Sequence, residues 1–212
     1  IQVSEAEAVD NLVFFGGQIT SIVGIEAFVN LERLDCSYNN INENLDFSTM
    51  PNLKSLICSY NQIQGLNVAS NLNLEELYCN SNSIPTLDVS SNTNLLYLIA
   101  AGNGLSNLNF HPNLEELLVA GNALSSIDVS SNTNLRTLLV GNNMMSSLNV
   151  SQNPNLETLR LESNMISSLD VTSNPNLKLL DFKNNSITSI DVSMCPNLEF
   201  LSVDNNNLMA LD

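Results

Sequence analysis

One spacing governs what this chain can fold into. Leucines at 31, 53, 74, 95, 114, 135, 156, 177 and 198 each open the pattern L-x-x-L-x-(C/V/L)-x-x-N-x-(I/L/M), with a period of about 21 residues. An asparagine follows each leucine eight residues later, at Asn39, Asn61, Asn82, Asn103, Asn122, Asn143, Asn164, Asn185 and Asn206. A unit this short cannot bury an apolar face alone. Copies must stack, each against its neighbours, and the core runs through the stack.

A divergent tenth copy precedes these, with Val9, Leu12, Phe14 and Ile19 in the apolar slots and Gly17 in place of the asparagine. It reads as a terminal, capping copy. Ahead of it, Ser4 and Glu7 have the spacing of a capping box, which predicts a short helix starting at Ser4. At the other end Leu211 and Asp212 fall in mid-repeat where earlier copies continue as LDVS, so a longer protein with an unprotected last strand is expected. The domain organisation is a cap and divergent first repeat over 1–30, then repeats over 31–212, the last one truncated.

The two halves of a copy obey different physics. In L-x-x-L-x-(C/V/L) the fourth and sixth positions alternate inward with a strand's period of two, and stacked copies form a parallel sheet. The asparagine turns the chain, its amide satisfying backbone groups that a tight buried turn leaves unpaired. The second half, (L/I)-(D/N)-V-S-x-N-(P/T)-N, is too short and too β-branched for a full helix. An extended segment ending in a turn is expected there.

The pattern is the signature of leucine-rich repeats. The runs LDVSSNTNL, LDCSYNNI and NVSQNPNL resemble the repeats of extracellular leucine-rich repeat proteins from Bacteroidetes, of the flavobacterial type, over nearly the whole chain. The stretch ITSIVGIEAFVNLERLDCSYNNI is similar to internalin-type repeats. The expected fold is an α/β-type, mostly β leucine-rich repeat solenoid. It has a parallel concave sheet of about ten strands, an extended or turn-like convex side and a short N-terminal capping helix. The resemblance implies secretion or cell-surface attachment and a role in adhesion or protein binding. In such relatives an EF-hand-like loop often precedes the first repeat, which places Glu5 at a final ligand position; the aspartates that would complete a calcium site are absent here, and none is claimed.

Charge narrows the partners. Acidic residues outnumber basic ones 22 to 6, a formal net charge of −16, which repels phosphate backbones. Nucleic acid is therefore not expected as a partner. No apolar run reaches the roughly 18 residues that would point to a membrane-spanning helix.

The chemical candidates fall to the repeat. Cys36, Cys58 and Cys79 occupy the sixth, inward position, and a buried thiol behaves as a small hydrophobe. Cys195 stands where Asn153 and Asn174 stand in other copies and reads as an isolated thiol at a turn. His111 lies in the shortened, 19-residue copy, with no serine or cysteine that the repeat brings close. No nucleophile elbow, phosphate loop or zinc-protease motif is present, so neither an enzyme nor a cofactor is expected. The column Asp46, Asn67, Asp88, Asn109, Asp128, Asn149, Asp170, Asp191 and Asp212 reads as a ladder of turn hydrogen bonds, its asparagines diluting carboxylate repulsion. A cation between Asp170 and Asp191 is the alternative.

The third, fifth, seventh and eighth positions point outward, onto the concave face. The fifth reads Asp35, Ile57, Tyr78, Ile99, Leu118, Leu139, Arg160, Asp181 and Ser202, with five apolar residues in the middle. Beside them Ala101, Ala120, Gly141, Gly102 and Gly121 lower the flanking walls. All four tyrosines take outward positions, Tyr38, Tyr60, Tyr78 and Tyr97, and tyrosine is enriched in binding hot spots. An exposed apolar patch of this kind marks an interaction site. A protein ligand is the first expectation, a glycan on the tyrosines the second, and a passive spacer the third.

Overall fold

Every predicted strand forms, and each is short. The computed structural model describes residues 3–209 and divides into two compact units, Ile1–His111 and Pro112–Asp212. The first unit carries β1 (Asn11–Val13), β2 (Arg33–Asp35), β3 (Asn44–Asp46), β4 (Ser55–Ile57), β5 (Gly65–Asn67), β6 (Glu76–Tyr78), β7 (Thr86–Val89), β8 (Tyr97–Ile99) and β9 (Asn107–Phe110). Of these, β1, β2, β4, β6 and β8 pair in that order as a parallel sheet. The return halves of the copies also pair, β3 with β5 and β7 with β9, both parallel.

The second unit carries β10 (Glu116–Leu118), β11 (Thr137–Leu139), β12 (Thr158–Arg160), β13 (Leu179–Asp181) and β14 (Phe200–Ser202), parallel in chain order. The fourth-position leucines fix the register, Leu117 opposite Leu138, Leu138 opposite Leu159, Leu159 opposite Leu180. Among the described residues, its return halves form no strand. The expected extended or turn-like back is therefore present in both forms, extended in one unit and turn-like in the other. The N-terminal copy pairs as a rung of its own, Leu12 opposite Leu34.

Inside each unit the first, fourth, sixth and eleventh positions make the core. Leu53, Leu56, Cys58 and Ile63 in one copy, and Leu135, Leu138, Val140 and Met145 in another, lose all solvent contact. Each fully buried aliphatic side chain contributes roughly 1.5–3 kcal/mol, which is how three-residue strands persist. The turn asparagines then lock copy to copy. Asn143 Nδ2 donates to the carbonyls of Val140 and, one copy back, Val119, both at 3.0 Å, while its Oδ1 accepts the N–H of Leu124. Asn82 repeats this with Cys79, Cys58 and Ile63.

A second asparagine ladder runs along the back of the copies. Asn71, Asn92, Asn153 and Asn174 are fully buried, and each donates twice to carbonyls of the preceding copy, as Asn174 does to Val150 and Asn153. A third, exposed series caps the bend, Asn73 on Pro51 through to Asn197 on Pro175. Along the second position charges alternate on either side of Leu96, and ion pairs join Lys54 to Glu32 and both Arg136 and Lys178 to Glu157.

The N-terminal helix covers only Val3–Ala6. Ser4 lies inside it rather than ahead of it, so the expected capping box does not form: an N-cap hydroxyl must precede the first helical residue to reach the free N–H groups. Gly17, which replaces the turn asparagine, has a different use. A Cβ there would sit 2.8 Å from Asn39 Oδ1, the atom that accepts the N–H of Ile19. Ile1, Leu211 and Asp212, with the expectations attached to them, lie outside the described residues.

Candidate functional site

The thiols belong to the core. Cys36, Cys58 and Cys79 are fully buried and directly follow β2, β4 and β6, three adjacent strands of the first unit. Burial pushes the Cys79 thiol up to about 12, and burial with the neighbouring Asp35 carboxylate does the same to Cys36. A thiol held protonated is neither nucleophile nor metal ligand. Cys195 is also buried, and its sulfur lies 3.6 Å from the carbonyls of Val171 and Asn174. It is a free thiol, as the sequence implies, and it takes the place of an asparagine in the buried back ladder.

The aspartate column works as turn chemistry. Oδ1 of Asp46, Asp88, Asp128, Asp170 and Asp191 accepts the N–H two residues on. Asn67 and Asn109 donate across the copies to Asp46 and Asp88. Hydrogen bonds from Ser90 hold the Asp88 carboxyl below its usual range, and those from Thr172 do so for Asp170. His111 is half-buried at the end of the first unit.

The outward columns carry what remains. In the first unit Ile57, Tyr78 and Ile99 lie side by side in register on β4, β6 and β8. In the second, Leu118, Leu139 and Arg160 do so on β10, β11 and β12. The five apolar residues of this column are half-buried, because side chains on adjacent parallel strands pack against one another; Arg160 is exposed. Tyr97, in the third position of β8, is half-buried too. Asp181, opposite Arg160, is buried and lies 3.6 Å from Lys183 Nζ. The expected low wall at Gly141 is not open: the Glu162 carboxylate lies over it where a Cβ would project, and Gly141 is buried.

The eighth position behaves differently from the rest. Its backbone is left-handed in copy after copy: Tyr38 (φ 54°), Tyr60 (φ 56°), Ser81 (φ 56°), Gly102 (φ 62°), Gly121 (φ 67°), Asn142 (φ 53°) and Ser163 (φ 56°). Glycine and asparagine enter this region easily, but tyrosine does so at a cost. Tyr38 and Tyr60 are the two exposed tyrosines, and their rings stack with centroids 4.3 Å apart and planes 10° from parallel. The column's glycine, asparagine and serine content is the sequence signal for this geometry.

Other apolar surface was not singled out by the pattern. Phe15, Val23, Met144, Met165 and Phe200 are more exposed than the fifth-position column. Near Val23 an apolar pocket of about 440 Å³ is lined by Leu12, Phe14, Ile22, Ile25 and Phe28 among others.

The fold recurs in known structures. The chain superposes on the functional domain of InlJ from Listeria monocytogenes, which includes a cysteine ladder, with a TM-score of 0.96 and 34% identity over 99% of this chain. The fold is a leucine-rich repeat fold. The chain spans 47% of that InlJ structure. The internalin InlF from Listeria monocytogenes matches over 100% of the chain and 75% of its own length, with a TM-score of 0.72 and 24% identity. FLRT2, whose leucine-rich repeats were solved in an octameric complex with latrophilin 3 and Unc5D, aligns with a TM-score of 0.72 and 23% identity, over 97% of this chain and 71% of that one. A family model for leucine-rich repeats in two copies matches residues 175–212. No curated protein matches the chain. Leucine-rich repeats with internalin-like neighbours are thus in hand, in a class that is typically non-catalytic and commonly recognises proteins. Among the described residues no helix is long and apolar enough to cross a membrane.

Proposed function

We propose that the chain is a non-catalytic protein-recognition or adhesion module of a secreted or cell-surface bacterial protein, of the flavobacterial type. The observation that carries this reading is the outward fifth-position column. Ile57, Tyr78 and Ile99 in one unit, and Leu118 and Leu139 in the other, present apolar side chains in register where charged or polar ones would suit a bare sheet face. In the first unit the proposed contacts are these apolar side chains with Tyr38, Tyr60 and Tyr97 as amphipathic ones, and in the second Leu118 and Leu139 with Arg160 as a charged one.

The test is a paired capture. Surface extract of the source organism is passed over the immobilised chain and over the Leu118→Asp/Leu139→Asp variant. A protein retained by the first and lost by the second, with both melting alike, supports the reading; equal retention sinks it. The stacked pair Tyr38–Tyr60 favours a second reading, a glycan platform, which a glycan array separates.

A further inference from the structure

We propose that the Tyr38–Tyr60 stack, with the notch beside it, docks an arginine side chain of the partner protein. This rests on the reading of the chain as a protein-recognition module and names the chemistry of one contact.

The notch follows from the left-handed column. Side chains there touch from copy to copy: a Cβ at Gly102 would lie 3.6 Å from Ser81 Oγ, and the two tyrosine rings are in stacking contact. Beyond Tyr60, however, the next two rungs are Ser81 and Gly102, which are too small to cover its outer ring face. On the far side of Tyr38 the corresponding rung is Gly16, also left-handed, with φ 73° and nothing within 4 Å of where its Cβ would be. The stack therefore ends in flat apolar faces bordered by missing side chains. A plate-shaped group laid on Tyr60 takes the place that a third ring would hold.

Charge selects among plate-shaped groups. The first unit holds eleven acidic residues and two basic ones. Both basic side chains are engaged, Arg33 with Ser55 at 3.0 Å and Asp35 at 4.0 Å, and Lys54 with Glu32 at 2.8 Å. The stack thus belongs to a unit of net negative charge whose lysine and arginine, among the described residues, are both paired. A guanidinium is planar, permanently charged and stacks on aromatic faces, whereas a lysine ammonium offers charge without the plate and a sugar the plate without the charge.

The chain has no tryptophan and four tyrosines, two of them in the stack, so the difference in tyrosine emission between the chain and a variant without Tyr38 and Tyr60 reads the stack. The full chain is titrated with a short oligoarginine peptide and with oligolysine of equal length. Arginine is expected to bind at least about fivefold more tightly than lysine and to quench tyrosine emission. The Tyr38→Ser/Tyr60→Ser variant loses that preference but keeps the weak attraction common to both peptides; Tyr60→Phe keeps it. Serine holds the same backbone at Ser81 and Ser163, so the serine variant is expected to fold. No preference, a preference that survives the serine variant, or quenching by a neutral oligosaccharide instead of by arginine overturns the proposal. None of these outcomes bears on the Leu118→Asp/Leu139→Asp capture, which judges the broader reading separately.

Discussion

The two units build the same repeat with different back walls and different core fillers. The first pairs its return segments as β3 with β5 and β7 with β9, and fills three sixth positions with cysteine. The second has no return strand among its described residues, and it fills the same slot with Val119, Val140, Leu161 and Phe182, all fully buried. Both keep the front sheet, the turn asparagines, the buried back ladder and the aspartate turns. What the units share is the scaffold, and what differs is upholstery. Strand pairing at the back adds hydrogen bonds to a bend that the asparagines already hold.

The sharpest way to break that comparison is to remove a turn asparagine from each unit. Asn82→Ala and Asn143→Ala each strip three carbonyls and one N–H of a partner, and each is expected to cost roughly 2–4 kcal/mol in urea unfolding. Equal losses identify the ladder as the shared scaffold. A markedly smaller loss for Asn82→Ala would mean that the back strands of the first unit carry part of the load.

A smaller effect separates the core fillers. Cys58→Ser buries a hydroxyl among apolar neighbours and is expected to cost about 1–3 kcal/mol, whereas Cys58→Val, matching the filler of the second unit, costs under about 1.5 kcal/mol. The same slot predicts an alkaline effect. A thiol raised from 9.0 to about 12 in the folded chain keeps its full contribution below pH 9, then loses it as pH rises toward 12. Melting of the chain should therefore fall more steeply over that window than melting of a Cys36→Val/Cys58→Val/Cys79→Val variant. Parallel profiles would refute the assignment of the slope to the thiols.

The smallest effect lies at the acid end and treats both units alike. Asp88 and Asp170 have lowered pKa values because they accept hydrogen bonds in their own turns, so their contribution is present above pH 3.8 and fades as pH falls below it. Asp88→Asn and Asp170→Asn keep the turn, as Asn67 and Asn149 do with Ala69 and Ser151. Each should flatten the acid limb of the melting curve and lower neutral-pH melting slightly, because the amide keeps the turn without the charge. An unchanged acid limb would remove the aspartates from the pH response.

Much of this architecture was legible in the sequence, because leucine and asparagine at fixed spacing leave one way to stack. The strand register, the inward cysteines and the turn role of Asn39 through Asn206 all follow from it. The back strands do not. Thr86-Leu87-Asp88-Val89 is a strand and Ser168-Leu169-Asp170-Val171 is not, though they differ at one residue, and nothing local separates them. The buried ladder of Asn71, Asn92, Asn153 and Asn174 was visible as a recurring asparagine, but its burial depends on the bend around it. The helix start was misplaced, since a serine three residues before a glutamate fits a cap only where the chain actually turns. At the candidate face, the columns were readable and their exposure was not: lateral packing half-covers Ile57 and Leu118, and Glu162 fills the space over Gly141.

The turn asparagines bond backbone groups of their own copy and of the one before it in a repeating pattern, as Asn82 and Asn143 do. A junction between any two copies therefore offers the same set of donors and acceptors as its neighbours. In genetic terms, removing or duplicating one 21-residue period, such as Leu135 to Asn155, regenerates an equivalent seam instead of a break. Copy number can drift by whole periods under recombination while the frame between them holds, and a lineage can change the size of its outward face without redesigning a single turn.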